Sequence, residues 1–165
     1  MSGPDPAAML GRSRETAIRR DAQGRWWNGP DAITHPNLTR SFDGWIARAE
    51  DGRTCLSNAI NWAYVTIEGP PYFVRAVTLE RPSIDAVVLH LSGDIDERLD
   101  PSSLRESADG ALTCAVRAGL WARFSAHAAV QLAPILVEEG EHVGLRGDAG
   151  ILVVPRGEAG VALQR

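Results

Sequence analysis

Residues 61–77 of this chain, NWAYVTIEGPPYFVRAV, are its most concentrated run of aromatic and β-branched residues. Such residues are typical of β-strands. Gly-Pro-Pro at 69–71 interrupts the run, and proline, with a preset backbone angle and no N–H, cannot join a central ladder. We therefore predict two strands joined by a rigid turn at 69–71, within a region from 53 to 91 that is mostly β.

The segments around this region have hairpin and helix patterns. AIRRD and RWWN flank turn residues at 21–24, which predicts a β-hairpin. Helical periodicity then predicts a helix with Thr34 as its N-cap and Pro36 at its start, stopped by Gly52. A short second helix is expected after Ser125. The apolar residues of the first helix are Leu38, Phe42, Trp45 and Ile46.

Two further segments are read as loops. Residues 92–110, SGDIDERLDPSSLRESADG, are charged and broken by Pro and Gly, so we predict a long surface connection. The glycines within 144–150 are followed by β-branched residues rather than by a helix. This order predicts a hairpin turn and not a phosphate-binding loop.

A short internal repeat links the two halves of the chain. Residues 54–65, TCLSNAINWAYV, and 113–124, TCAVRAGLWARF, share Thr, Cys, Ala, Trp and Ala at equivalent positions, each after an Asp-Gly pair. Repeated patterns indicate duplicated structural units, although a match this short also arises by chance.

The predicted fold class is α+β, with two duplicated β-rich halves that each carry one helix. We expect a flexible tail at 1–16, an N-terminal half at 17–82 and a C-terminal half at 83–165. A chain of 165 residues is long enough to bury a core without a metal or disulfide staple.

Composition limits the classes of partner. The net charge is -4, and the 17 basic residues, all arginine, form no patch in the sequence, so we expect no nucleic-acid polymer as a partner. No apolar run is long enough to span a membrane, and the first residues lack the pattern of a signal peptide. We therefore expect a cytoplasmic protein without a membrane partner.

Motifs of catalysis and metal binding are absent from the sequence. The four histidines stand far apart without the spacing of metal ligands, so no metal and no cofactor is predicted. His90 lies in an alternating strand and is interpreted as a strand residue. No hydrolase signature occurs. Cys55 and Cys114 are interpreted as buried small hydrophobic residues rather than a disulfide.

The order of motifs resembles a known bacterial family, domain of unknown function 1285. The resemblance spans roughly residues 17–155, and it rests mainly on EGPPYFV at 68–74 and VRAGLWARF at 116–124. Ala118 stands where this family usually has glycine. The resemblance implies a duplicated core, a C-terminal half similar to pleckstrin-homology-like folds, and a ligand site between the halves. It also implies a nucleotide-like ligand and a role in signal transduction.

Seven residues are candidate ligand contacts within this scheme. Arginine beside an aromatic ring is a combination that stacks on a base and binds phosphate. The two arginines of the set would meet phosphate, a tryptophan would stack, and the asparagine would form hydrogen bonds. The set is Asn61, Trp62, Glu68, Tyr72, Arg117, Trp121 and Arg123.

These observations favour a non-catalytic module that binds a small anionic ligand. A protein–protein adaptor that docks its partner through a pleckstrin-like half is the second hypothesis. An enzyme of unrecognised type is the third. The sequence does not indicate an oligomeric state.

Overall fold

The computed structural model describes residues 14–157, which form a mixed α+β structure made mostly of β-sheet. This confirms the α+β part of the predicted fold class. Within these residues there are two α-helices, α1 at Pro36–Trp45 and α2 at Ala126–Val130. The strands are β1 Ile18–Arg20, β2 Trp26–Asn28, β3 Asp31–Ile33, β4 Ile46–Arg48, β5 Thr54–Ser57, β6 Trp62–Tyr64, β7 Thr66–Ile67, β8 Tyr72–Leu79, β9 Val87–Leu91, β10 Ile95–Arg98, β11 Arg105–Glu106, β12 Leu112–Val116, β13 Leu120–Phe124, β14 Leu136–Glu139, β15 His142–Gly147 and β16 Gly150–Val153.

The chain divides into two compact units, Met1–Pro71 and Tyr72–Arg165. The first unit contains β1 to β7 with α1, and the second contains β8 to β16 with α2. Strand β8, which the sequence pattern placed in the N-terminal half, pairs within the second unit. Gly-Pro-Pro at 69–71 therefore connects one unit to the next instead of forming a turn between two strands of one half.

Two sheets make up the first unit. One has the order β3-β2-β1-β7, in which the predicted hairpin is confirmed as antiparallel β1 and β2, and β1 also pairs in parallel with β7. The other has the order β4-β5-β6 and is antiparallel throughout. The predicted tail at 1–16 lies mostly outside the described residues; its last residues contact β6, where Tyr64 N donates to Arg14 O at 2.9 Å.

Helix α1 begins at Pro36 as predicted, but its capping residue and its end differ from the prediction. The side chain of His35, not Thr34, caps it, since the Leu38 backbone N–H donates to His35 Nδ1 at 3.3 Å. The helix ends at Trp45 because Ile46 begins β4, where it is buried and paired with Leu56. Strand pairing at Ile46 therefore overrides the helical spacing of the apolar residues.

A buried arginine on β1 joins helix α1 to the last residues of the first unit. Arg20 is 1% exposed, and its guanidinium donates to Asp43 Oδ1 at 3.2 Å. It also donates to the carbonyl oxygens of Pro70 and Pro71. Trp26 Nε1 donates to the same Asp43 oxygen at 2.9 Å. A buried guanidinium needs such partners because an uncompensated charge in the interior is costly.

The second unit is built on a six-stranded sheet with the order β10-β9-β8-β13-β12-β11. Its β8–β13 pair is parallel and the other neighbours are antiparallel. The prediction of a long surface connection at 92–110 was wrong, because this segment contains both edge strands, β10 and β11. Edge strands carry charged side chains as protection against pairing with other chains, which gives them a loop-like composition.

A small sheet and a short helix complete the second unit. The sheet has the order β14-β15-β16, and the turn between Gly147 and Gly150 confirms the predicted hairpin. Ser125 caps α2 as predicted, since its hydroxyl accepts from Ala128 N at 3.1 Å.

Both copies of the sequence repeat form antiparallel hairpins, but their registers differ. In the first, Cys55 is opposite Tyr64, so Trp62 lies on the same sheet face as the cysteine. In the second, Cys114 is opposite Ala122, so the equivalent Trp121 lies on the other face. A shift of one residue reverses the face of every side chain along a strand.

Candidate functional site

The first unit contains a pocket of about 520 Å³ on its β4–β5–β6 sheet. This volume is within the range of small-molecule sites. Strand pairing sets its wall, because Cys55 opposite Tyr64 and Ser57 opposite Trp62 place four side chains on one face. The pocket is lined by Ala47, Arg48, Ala49, Glu50, Asp51, Cys55, Ser57, Trp62 and Tyr64.

Two aromatic rings form one wall of the pocket, and a guanidinium group stacks on each of them. The rings of Trp62 and Tyr64 meet edge to face with centroids 5.1 Å apart. The Arg14 guanidinium lies 4.1 Å from the Trp62 ring centroid, and that of Arg53 lies 3.6 Å from the Tyr64 ring centroid. Arginine stacked on an aromatic face is held by cation–π attraction. These contacts fix the orientation of both rings.

Ion pairs and hydrogen bonds hold this wall in place. Tyr64 Oη donates to Asp51 Oδ2 at 2.5 Å, which lowers the pKa of the Asp51 carboxyl and raises that of the phenol. Arg53 forms a two-pronged ion pair with Glu15 at 2.6 and 2.8 Å. The hydrogen bond from Arg53 lowers the pKa of the Glu15 carboxyl. Both carboxylates are therefore ionised at neutral pH.

The pocket offers binding groups rather than a reactive one. Cys55 is buried, and desolvation raises the pKa of its thiol, so the nucleophilic thiolate is disfavoured. Ser57 has no histidine beside it in the pocket lining. Arg48 makes no ion pair within residues 14–157, which leaves its guanidinium available to a ligand.

Three of the seven predicted ligand residues belong to the first unit. Trp62 lines the pocket. Asn61 precedes it in a turn where its backbone N–H donates to Asn58 Oδ1 at 2.9 Å. Its own buried Oδ1 accepts no hydrogen bond within the described part of the chain. Glu68 is exposed at the end of β7 and lies 3.9 Å from Arg19.

The other four belong to the second unit. Tyr72 is 0% exposed, so its ring is part of the core. Trp121 and Arg123 share one face of β13, and Arg123 is ion-paired with Asp109 at 2.7 Å. Arg117 lies in the exposed turn between β12 and β13, four residues beyond the partner of Arg123 and therefore roughly 13 Å further along the hairpin at the rise per strand residue. The structure does not bring the two arginines together on one surface of this hairpin.

Several pocket residues were not selected from the sequence. Tyr64 stands in the same aromatic run as Trp62, and its position two residues later on a strand places it on the same face. Arg48, Glu50 and Asp51 come from the end of β4 and the turn after it. No local pattern connects these residues to Trp62, because the antiparallel pairing of β4, β5 and β6 brings them together.

Metal and membrane features were also searched in the described residues. Between residues 14 and 157, no group of three or more His, Cys, Asp or Glu side chains could hold a metal ion. No helix in this part of the chain is long and apolar enough to cross a membrane.

Comparison with known proteins gives one clear result, at the level of the fold. No protein-family model and no curated protein matches the chain. The crystal structure of a DUF1285 family protein from Silicibacter pomeroyi DSS-3 matches with a TM-score of 0.65 at 18% identity, covering 100% of this chain and 93% of that one. A DUF1285 family protein from Shewanella baltica OS155 matches with a TM-score of 0.54 at 16% identity, covering 69% and 87%.

The chain therefore has an α+β fold that is shared with two solved members of the DUF1285 family. This confirms the resemblance inferred from EGPPYFV and VRAGLWARF. At such low identity, the likeness applies to the fold and does not transfer a ligand or an activity.

Proposed function

We propose that this protein is a binding module for a small anionic ligand with a planar ring, such as a nucleotide. The observation that supports this proposal is the pocket of about 520 Å³ that combines Trp62 and Tyr64 with charged groups. The proposed role in bacterial signal transduction follows from the family resemblance.

The pocket suits the two chemical parts of a nucleotide. Trp62 offers aromatic surface against which a base can pack, an interaction that tolerates any base because every base has a π-face. Arg48 offers a planar set of donors that matches phosphate oxygens. Glu50 and Asp51 can accept hydrogen bonds from the amino groups of a base. Together these groups favour a ligand that carries negative charge at one end and hydrogen-bond donors at the other.

We place the ligand in the first unit, which changes the expected role of the arginines. In the sequence-based hypothesis, Arg117 and Arg123 meet phosphate. Here Arg48 takes that role, because it borders the pocket and Arg123 is already paired with Asp109. The pocket wall presents no nucleophile beside a base, so its proposed role is binding without chemistry.

A thermal-shift screen against nucleotides tests this proposal, together with mass spectrometry of the natively purified protein. We expect at least one nucleotide to raise the melting temperature of the wild type, and Arg48→Ala and Trp62→Leu to abolish the shift. The matched control is the Arg117→Ala, Arg123→Ala double variant, which should bind as the wild type does. Loss of binding in the control alone would move the site to the second unit. An absence of any stabilising nucleotide would refute the proposed ligand class.

We also propose the duplicated architecture with a pleckstrin-homology-like C-terminal half that the family resemblance implies. Each unit has one hairpin from the sequence repeat, one α-helix and one parallel strand pair. A crystal structure tests this, by superposition of the two hairpins with their flanking strands. Duplication requires further elements of the two units to superpose in the same order.

An adaptor role is the second candidate function, and exposed apolar side chains of the second unit favour it. Val130 on α2 is 71% exposed, and Ile151 and Val153 on the edge strand β16 are 49% and 44% exposed. An extended peptide segment could add to β16 as a further strand and cover these side chains. Its addition would protect the β16 amides from hydrogen exchange, and Ile151→Glu should prevent that protection.

A further inference from the structure

Three side chains on neighbouring strands of the six-stranded sheet form a continuous hydrogen-bonded chain. Thr78 Oγ1 on β8 lies 2.7 Å from His90 Nε2 on β9. His90 Nδ1 lies 2.7 Å from Asp96 Oδ1 on β10. The order is hydroxyl, imidazole, carboxylate, in which a base is hydrogen-bonded to a nucleophile and oriented by a third group.

Strand register produces this alignment. His90 is opposite Ala76 on one side and Asp96 on the other, so all three side chains share one sheet face. Thr78 follows Ala76 by two residues and takes the diagonal position next to the imidazole. The small side chain of Ala76 leaves space beside the ring. The group is open to solvent, with the His90 and Asp96 side chains 37% and 68% exposed.

The hydrogen-bond roles follow from the chemistry of the two partners. An ionised carboxylate only accepts hydrogen bonds, so Nδ1 of a neutral His90 must carry its proton and donate it to Asp96. Nε2 then has a free lone pair and accepts from the Thr78 hydroxyl. This tautomer is the one in which an imidazole can remove a proton from the hydroxyl.

We propose that this group hydrolyses small carboxylic esters, with Thr78 as nucleophile, His90 as general base and acid, and Asp96 as a positioning residue. The methyl group of Thr78 crowds its hydroxyl, which favours small, unhindered acyl groups. The proposal concerns the second unit and does not depend on the pocket of the first.

The chemistry has two balanced steps. Thr78 Oγ1 attacks the acyl carbon while its proton passes to His90 Nε2; the C–O bond to the alcohol then breaks, and His90 returns the proton to the departing alkoxide. A water molecule next attacks the acyl–Thr78 carbon and gives one proton to His90. That proton passes to Thr78 Oγ1 as its bond to the acyl group breaks, and the carboxylic acid is released.

Arg98 lies on the same sheet face as Thr78 and is the cation that this proposal assigns to the negative charge on the ester oxygen. Arg98 is opposite Val88, which is itself opposite Thr78. Its guanidinium reaches Glu80 at 2.7 Å, and Glu80 follows Thr78 by two residues, about 7 Å along the chain. Positive charge near a developing oxyanion stabilises the transition state.

The test uses the full chain and the probe p-nitrophenyl acetate. We expect Thr78→Val and His90→Gln to lower the hydrolysis rate about 100-fold, the usual contribution of a positioned base. Thr78→Ser should keep or raise the rate because it retains the hydroxyl. His142→Gln is the control for adventitious imidazole and should hydrolyse as the wild type does. Mass spectrometry of an acid-quenched reaction should find one acetyl group on Thr78.

Asp96→Asn distinguishes positioning from a structural role. The asparagine amide can donate to Nδ1, which favours the opposite tautomer of the imidazole. Nitrogen NMR of the His90 ring should show that tautomer change together with a loss of rate. Equal rates in wild type, Thr78→Val and His90→Gln, or acetylation at other residues only, would overturn the proposal.

Discussion

Replacement of Ala118 by glycine should stabilise the second unit. Ala118 has φ 56° and ψ 31°, in the left-handed region, and is one of two described non-glycine residues with positive φ. For a residue with a Cβ atom this conformation costs roughly 1–2 kcal/mol. Glycine is the residue that the family resemblance leads one to expect at this position.

Two opposing terms set the size of the effect. Ala118→Gly removes the backbone strain, but it also increases the conformational entropy of the unfolded chain, which costs about 0.4–1 kcal/mol. The side chain is exposed, so little packing is lost. We expect a net gain of about 0.5–1 kcal/mol, which corresponds to a rise in melting temperature of about 2 °C for a chain of this size.

Gly119 next to it provides the matched control. Its φ is 71°, and a Cβ atom added there would meet nothing within 4 Å. Gly119→Ala should therefore destabilise the protein, because backbone strain outweighs the lower conformational entropy of its unfolded chain. Urea titrations of the wild type and both variants measure the two effects. If Ala118→Gly lowers stability, or if both substitutions act in the same direction, the explanation from backbone strain is refuted.

Three further predictions concern buried or hydrogen-bonded groups. Asp43→Ala leaves the buried Arg20 guanidinium without its carboxylate, so urea unfolding should show a loss of about 3–5 kcal/mol, whereas Asp43→Asn should lose less. The hydrogen bond from Trp27 Nε1 lowers the pKa of Asp21 to about 2. The contribution of the Asp21 carboxylate to stability is therefore complete above about pH 4 and is lost as the pH falls toward 2. The melting temperature of Asp21→Asn should depend less on pH in that window. Burial raises the pKa of the Cys114 thiol to about 12, so it should react with iodoacetamide only in denaturant, as peptide mass spectrometry would show.

The strands were predictable where one face is buried, but their partners were not. In β8 the alternation places Tyr72 and Val74 in the core, and an irregularity in the pairing between Val74 and Ala76 shifts the phase so that Val77 is buried as well. Its pairing with β13 joins residues such as Tyr72 and Ala122, which are far apart in the chain. Local composition contains no signal for such a pairing. The unit boundary was therefore placed after β8 instead of before it.

The candidate site was predictable only in part. Trp62 was found because aromatic residues cluster around it, whereas Arg48 and Asp51 approach it through strand pairing. The choice of Arg117 and Arg123 relied on the sequence repeat. The register of β12 and β13 then decides where those side chains lie, and register is not readable from composition. The hydrogen-bonded group at His90 was missed for the same reason, since its three members come from three strands.

Each unit also contains one parallel strand pair, and this has a consequence for the order of folding. The parallel pairs β1–β7 and β8–β13 can form only after a long stretch of chain has been brought together. In each pair the first strand stands at the beginning of its unit, and its partner lies far along the chain. The antiparallel hairpins need only short loops to close and can form first. We therefore expect substitutions at the β1–β7 and β8–β13 contacts to accelerate unfolding and leave the folding rate almost unchanged. The partners of β1 all lie before residue 72, so the first unit can complete its sheets while the second is still being synthesised.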